Sequence, residues 1–580
     1  MNRTHRAIAA LLLLALALQC IMSMRQKSLT EDEYVHIPAG LSYLRTNDFR
    51  LNLDEPPLMK LLAAAPLLAW RPKLYLPLED PSWHEKNAWR FARRFFDTHR
   101  RDLDIIAFLA RLPTVILSLL LGMVVCRWST TLYGPWAGLF ALTLYTFDPN
   151  ILAHTRLATM DLGISLFITA ALYAWWRFHR APSPGNLLCA GLMVGLAATT
   201  KFSGLILIPL TFVLMIPGRM LEKEIVAQIQ NRWRGLIRGC VRWMGVLIIA
   251  GMVIFLFYGM EFKPLATDPE MISKLKTAAS SSHKPTWKKL GFRAAVEAPI
   301  PAPSYFKGIS YLMRHFRQGH DAYLMGQYSK HGWWYYFIVS TLIKTTIPFL
   351  LLILLSMLPF SKAPSLMWKD RIFLLAPPLV FYAMALTSPM NIGHRHILPI
   401  YPFLFIWCSR LVVRIPRRWG WYALMAVLVL WHAVSAVGIY PHYLAYFNGL
   451  IGGPKNGPRY LLDSNIDWGQ DLILLRKYLH RERISDLHMD LRGNVNPSYY
   501  GVAGKSITPY RALHPMPGNY AIRVNELYNL HHRNKQRFQW LREREPAARV
   551  GYSIYVYRVP VAAALAAQPR QEGENTARGP

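Results

Sequence analysis

Acidic residues recur near the start of a chain that is otherwise mostly apolar: Asp32-Glu33, then Asn47-Asp48, then Asp54-Glu55. A carboxylate can take a proton from a hydroxyl, and carboxylates held beside a bilayer are costly to desolvate, so their recurrence there suggests a reaction site. Asp161 adds a further acid, and Lys201, Lys344 and the run Gly393-His394-Arg395-His396 place cations and imidazoles at the ends of other apolar runs. A lone Lys in such a run costs about 2.5 to 3.5 kcal/mol unless it snorkels or finds an anion, so Lys344 beside Pro348 needs a partner. Each group also has a plainer reading. Asp32 and Glu33 suit the first turn of a helix capped by Thr30, favoured by the helix dipole. Lys344 could snorkel or pair with a structural acid, and His394, His396, His154 and His36 could hydrogen-bond backbone.

The elements that must carry these residues are membrane spans. The 580 residues are 53% hydrophobic and 17% charged, with a mean hydropathy of +0.17. The net charge of +33 sits largely in short connectors between apolar runs, and no nucleic-acid-binding module accompanies it. Five cysteines are scattered without CxxC spacing and read as packing residues. The basic N-terminus and its Ala/Leu run lack an A-x-A cleavage site, so they read as an uncleaved first span. Eleven spans are expected, near 7–24, 104–126, 136–148, 161–178, 186–200, 203–217, 243–258, 335–358, 372–387, 396–413 and 420–440. The shorter apolar run 57–70 is expected to lie in the interface, as is the helix that begins at the Asp32-Glu33 pair.

Parity then orders the loops. With the N-terminus in the cytoplasm, the basic connectors 177–185, 219–242, 362–371 and 414–418 fall inside. The same count sets Asp32, Glu33, Glu55, Asp161, Lys201 and 393–396 together on the outer face. After residue 440 the composition turns polar, with a helical stretch near 467–481 and strand-like runs at 520–524 and 552–557, which predicts a small outer-face α/β domain over 441–560. Residues 561–580 read as a disordered tail. Within 463–471, Asp463-Ser464-Asn465 suits a turn and Asp467 a cap on the following helix, although these acids could also bind a cation.

The order of these motifs resembles the GT-C glycosyltransferases of family 39 type, which include protein O-mannosyltransferases and aminoarabinose transferases. The resemblance runs through Asp32-Glu33, Asn47-Asp48-Phe49, Glu55-Pro56-Pro57-Leu58, Asp148 to His154, Thr159-Met160-Asp161, Thr200 to Gly204, Lys344 to Pro348, His394 to Pro399 and Asp463 to Asp471. It implies a mainly α, polytopic GT-C fold with interfacial helices in the first outer loop. It also implies transfer of a sugar from a polyprenyl-phosphate carrier to an acceptor hydroxyl at the outer face, with inversion.

By the same resemblance Asp32 would be the general base, with Glu33 and Asp161 as further catalytic residues. Lys201, Arg395, Lys344 and Arg156 would hold the donor phosphate, and Glu55, His394 and His154 would contact substrate. Glu55 matches an acid tied to a divalent metal in the aminoarabinose branch, whose following Lys is here Pro56. The long lumenal insertion of eukaryotic members is absent. The expected setting is a bacterial inner membrane, with residues 1–440 as the transferase domain and 441–560 outside. A transporter with an outward-facing charged cavity is the rival reading, but neither repeated halves nor matched interrupted helices are evident in the sequence.

Overall fold

The computed structural model describes residues 1–219, 229–266, 272–273, 277, 296–359, 368–416 and 418–561. The tail expected to be disordered lies outside the described residues apart from Val561, as do parts of the connectors 219–242 and 362–371. Among the described residues, five helices are long and apolar enough to cross a membrane: Arg3–Met24, Arg100–Tyr133, Gly235–Phe257, His394–Arg414 and Trp419–Gly438. Two sharply bent pairs raise the number to seven if each is one span: Pro149–Thr155 with Met160–Arg180 at 112°, and Tyr336–Lys344 with Ile347–Met357 at 109°.

The protein is thus mainly helical with five to seven candidate spans, fewer than the eleven apolar runs. The run 136–148 forms the 12-residue helix Pro135–Thr146, about 18 Å long at 1.5 Å per residue and short of a hydrocarbon core. Pro184–Thr200 and Phe202–Met215 are short as well. Trp368–Leu386 carries Lys369, Asp370 and Arg371 in its first turn and two prolines in its interior.

Both bends have a chemical cause and a chemical repair. At Lys344-Thr345-Thr346-Ile347-Pro348 the proline ring cannot donate to the ladder, and Thr345 and Thr346 turn extended. The carbonyls this frees are met by side chains: Asn150 Nδ2 donates to Lys344 O at 2.9 Å, and Asn448 Nδ2 to Leu342 O and Thr345 O at 2.6 and 2.7 Å. At the other bend, between Thr155 and Met160, the Ala158 amide donates to Glu33 Oε1 at 2.9 Å. Non-helical backbone at membrane depth survives only with such internal partners.

Thr30 and Glu33 form a capping box at the start of the helix Glu31–Thr46. The run 57–70 is the helix Leu58–Trp70, packed so closely on Glu31–Thr46 that a Cβ at Gly40 would stand 2.0 Å from the Lys60 carbonyl oxygen. Only a glycine fits there.

Two short antiparallel ribbons, β1 (Phe262–Pro264) with β2 (Pro299–Pro301) and β3 (Ala322–Leu324) with β4 (Gln327–Ser329), precede the C-terminal sheet. That sheet contains β5 (Leu487–Asp490), β6 (Lys505–Ser506), β7 (Gly518–Arg523), β8 (Ala548–Val550) and β9 (Ile554–Val559), in the order β6-β5-β7-β9-β8. β5 pairs in parallel with β6 and β7, and β9 antiparallel with β7 and β8, so the sheet is mixed.

The segment before this sheet is stitched to the chain's beginning. Ser28 N donates to Gln470 O and Glu31 N to Trp468 O, both at 3.0 Å. Arg523 Nη1 pairs with Glu31 at 2.6 Å, and Lys27 Nζ with Asp471 at 2.5 Å. Asp467 does not cap a helix as expected. It accepts the Gly469 amide and the Arg523 guanidinium, because the helix Leu472–Arg481 begins five residues further on.

Glu33 holds the first of these junctions together. Its oxygens accept Arg111 Nε and Nη2, both at 2.7 Å, the Ala158 amide, and the Thr30 amide and hydroxyl. Burial would push its carboxyl up, but the Arg111 guanidinium and the amide donors outweigh that and hold it below the ordinary carboxylate range. Breaking such a buried pair from one side costs about 3 to 5 kcal/mol. Glu33→Gln should therefore lower the detergent-solubilised protein's unfolding temperature sharply. In the parent the stabilisation is present above the unfolded carboxylate pKa and lost as pH falls through the lowered folded value. Melting curves from pH 3 to 7 should show that acid-side loss in the parent and not in the variant.

Candidate functional site

Four expected site residues meet at one place although they come from four separate stretches of sequence. Arg395 Nη1 donates to Asp32 Oδ2 at 2.9 Å and stands 3.6 Å from Asp161 Oδ2. Lys201 Nζ donates to Asp161 Oδ1 at 2.9 Å and lies 4.0 Å from Glu55 Oε1. His154 Nδ1 is 3.8 Å from Asp161 Oδ2. The elements explain the convergence. Asp32 lies in the first turn of Glu31–Thr46, Asp161 in the first turn of Met160–Arg180 beyond the bend, and Lys201 at the break between Pro184–Thr200 and the helix that follows. Arg395 lies in the 3-10 turn His394–Ile400.

The acids differ in exposure. The side chain of Asp32 is 32% exposed and that of Glu55 24%, whereas Asp161 is 1% exposed and Glu33 fully buried. Glu55 is pushed up to about 7, because burial and the neighbouring Asp54 and Asp161 charges together exceed the pull of Lys201 and Lys60. Asp32 and Asp161 face Lys201 and Arg395, two carboxyl groups against two cations.

The remaining candidates lie elsewhere in role. Glu33, expected as a catalytic acid, has its oxygens filled by five donors. Lys344 neither snorkels nor pairs with an acid: it is 3% exposed and donates to Leu444 O at 2.8 Å and Asn465 O at 2.7 Å, over the Phe447 ring. His394 engages Ser340 Oγ at 3.1 Å and the Tyr401 hydroxyl at 2.6 Å through its two ring nitrogens. Arg156 is 1% exposed, and none of its three guanidinium nitrogens has a hydrogen-bond partner among the described residues. Its surroundings include Arg111, Lys27 and Asp471, and Asp471 is already held by Lys27.

No three His, Cys, Asp or Glu side chains converge to hold a metal ion among the described residues. Glu55, the expected metal acid, faces an ammonium group. The donor set does not fit a divalent cation there.

Sequence reasoning missed Trp468. Its ring lies 4.0 Å from the Arg395 guanidinium carbon and edge-on to His154 at 6.2 Å, so a residue of the polar C-terminal segment forms one wall of the cluster. It also missed Arg111, although a lone arginine in an apolar run is the same signal that drew attention to Lys344.

Residues 106–229 match the family profile described as dolichyl-phosphate-mannose-protein mannosyltransferase, which bears out the resemblance over a segment containing Arg156, Asp161 and Lys201. No curated protein matches the chain. Among solved structures, ArnT from Cupriavidus metallidurans bound to undecaprenyl phosphate is 12% identical with a TM-score of 0.48, covering 97% of this chain and 99% of that one. The apo oligosaccharyltransferase of Archaeoglobus fulgidus is 10% identical with a TM-score of 0.48, over 91% and 70%. The S. cerevisiae Pmt1-Pmt2 complex bound to the sugar donor is 17% identical with a TM-score of 0.33, over 45% and 34%.

The raised Glu55 carboxyl gives a test of this geometry. The folded state holds the Glu55 proton up to about pH 7, whereas the unfolded chain releases it near the ordinary value of 4.5, so this group removes stability as pH rises between the two. Thermal unfolding of the solubilised protein across pH 5 to 8 should show a decline in the parent that Glu55→Gln flattens.

Proposed function

We propose that this protein is a GT-C glycosyltransferase that moves a sugar from a polyprenyl-phosphate carrier to an acceptor hydroxyl at the outer membrane face. The observation that carries the reading is the Asp32–Arg395–Asp161–Lys201 cluster together with Arg156, a buried cation that forms no ion pair or side-chain hydrogen bond among the described residues. The family match over 106–229 supports the same reaction class. The fuller GT-C span count, the outer-face position of the C-terminal domain and the bacterial inner membrane as its setting belong to this reading.

The reaction needs a base, a site for an anion and a way to hold both in register. Asp32 is the most exposed of the four acids and so the one an acceptor can reach. In the transfer, the acceptor oxygen attacks the anomeric carbon from the face opposite the phosphate, and its proton passes to Asp32. The bond from the anomeric carbon to the phosphate oxygen breaks, and polyprenyl phosphate departs. Asp161, locked between Lys201 and Arg395, orients these two cations and through Arg395 fixes the carboxylate of Asp32. Lys201 and Arg395 already balance two carboxylates, whereas Arg156 carries full charge with no hydrogen-bond partner. A guanidinium does not shed its proton, so an oxyanion is the partner that such a site favours. Arg156 is therefore assigned the donor phosphate, with Lys201 and Arg395 at the reacting end and Glu55 and His154 lining the sugar.

General-base contributions run to about 100- to 10,000-fold, so Asp32→Asn should cut turnover by at least the lower figure with donor affinity little changed. Asp32 is not the cap of its helix, which Thr30 and Glu33 provide, so the fold should survive. Release of polyprenyl phosphate from a panel of polyprenyl-phosphate sugars, followed by mass spectrometry, measures it. Near-parental turnover in folded Asp32→Asn would remove the base. Arg156→Gln should instead weaken donor binding, read by titration of polyprenyl phosphate. Binding as tight as the parent's would place the phosphate elsewhere.

A further inference from the structure

A second group of uncompensated arginines stands at the opposite ends of the spans. The helix Leu103–Tyr133 runs from the side of the Asp32 cluster to Tyr133, and His5 packs edge-on against Trp136 at 4.8 Å, so the beginning of the first span lies at this same far end. Arg410 and Arg414 close the span His394–Arg414, and Arg371 opens the helix Trp368–Leu386. All three arginines lie near enough to bear electrostatically on Tyr133, and Arg371 and Arg414 bear likewise on Arg410.

Their charge is not met by any acidic side chain among the described residues. Arg410 is 7% exposed; one guanidinium nitrogen donates to the Ser356 carbonyl, the group stacks 3.9 Å over the Trp407 ring, and Nε has no partner. Arg371 Nε and the Tyr133 hydroxyl are buried atoms without a hydrogen-bond partner. None of the three arginines forms an ion pair among the described residues. The nearby carboxylate, Asp370, is taken by Trp176 Nε1 at 2.7 Å and Arg180 at 3.5 Å. Like-charged guanidinium groups crowd together this way at a cost unless an anion sits between them.

We propose that Arg371, Arg410 and Tyr133 form a binding site for a phosphate group, with Arg414 adding charge at its rim, and that its occupant is the headgroup of an anionic phospholipid. The surroundings favour a lipid over a soluble ion. Met357 and Leu358, the residues after the Ser356 carbonyl that holds Arg410, are 66% and 45% exposed, and Val413 is 48% exposed. Trp136, Trp368 and Trp419 are exposed at the same helix ends, where tryptophans settle at the headgroup level. Acyl chains would thus lie along apolar surface while the phosphate reaches the arginines, as in basic pockets between spans that hold anionic headgroups. This site is separate from the Asp32 cluster and does not depend on the reading of that cluster.

The test uses the full-length protein, delipidated in a nonionic detergent and titrated separately with phosphatidylglycerol, phosphatidylcholine and inorganic phosphate, with bound lipid read by native mass spectrometry and stability by thermal unfolding. Phosphatidylglycerol should remain bound to the parent and raise its unfolding temperature, with phosphatidylcholine at least about tenfold weaker. Arg410→Gln and Arg371→Gln should each weaken phosphatidylglycerol at least about tenfold. Arg127→Gln, an exposed arginine on the helix that carries Tyr133, should leave it unchanged. Arg371 is only half-buried, so its variant keeps the test decisive if Arg410→Gln fails to fold. Stabilisation by inorganic phosphate as strong as by the lipid would support the phosphate site but assign it a soluble occupant. Equal lipid binding by the parent and both variants, or none by the parent, would overturn the proposal.

Discussion

The buried pair of Glu33 and Arg111 is the contact on which the site rests. Arg111 reaches from inside the helix Leu103–Tyr133 and donates to the carbonyls of Met24, Lys27 and Ser28 as well as to Glu33. Glu33 in turn accepts the Ala158 amide from the bend before Asp161. One ion pair therefore fixes the end of the first helix, the start of the second and the bend of a third. Asp32 is the residue before Glu33 on the second helix, and Asp161 lies three residues beyond Ala158. The separation of these two carboxylates is set by a pair that includes neither.

Broken helices supply the rest. A continuous helix would bury Arg156 and Asp161 in its own backbone ladder, whereas the 112° bend turns both toward the other loops. The price is a set of orphaned backbone groups, and the protein meets them with Glu33, Asn150 and Asn448. Polar residues that look catalytic by their rarity in apolar sequence are here divided between two tasks. Some finish a broken backbone or donate to distant carbonyls, and others join the charge cluster.

This division explains what the sequence could and could not tell. The convergence of Asp32, Asp161, Lys201 and Arg395 was legible, because parity and the expense of charge at a membrane both push such residues to one end. The separate fates of Asp32 and Glu33 were not, since adjacent acids on a helix differ only in the direction they point. Lys344 carried the right signal of a cation needing partners, but carbonyls from residues one hundred and more positions away satisfied it. Eleven apolar runs stand beside five to seven candidate spans among the described residues because hydropathy reads apolarity and not helix length: Pro135–Thr146 is as apolar as a span and only 12 residues long. Trp468 was out of reach because its segment is polar and carries no span, and only the pairing of Ser28 and Glu31 with residues 468–470 brings it to Arg395.

That pairing gives the C-terminal segment a part in the chemistry. Arg395 is held on one side by Asp32 and on the other by the face of Trp468, an arrangement that leaves the guanidinium plane little freedom. Trp468 is in turn placed by the Glu31 amide, and Glu31 is tied through Arg523 to Asp467, the residue before Trp468. The loop of contacts from Asp32 through Arg395, Trp468, Asp467, Arg523 and Glu31 closes on the residue next to Asp32. A carboxylate on an exposed helix start would ordinarily sample several rotamers. Here its backbone and its counter-ion are both anchored to the same polar segment, so docking of the C-terminal sheet and alignment of the carboxylate are one event.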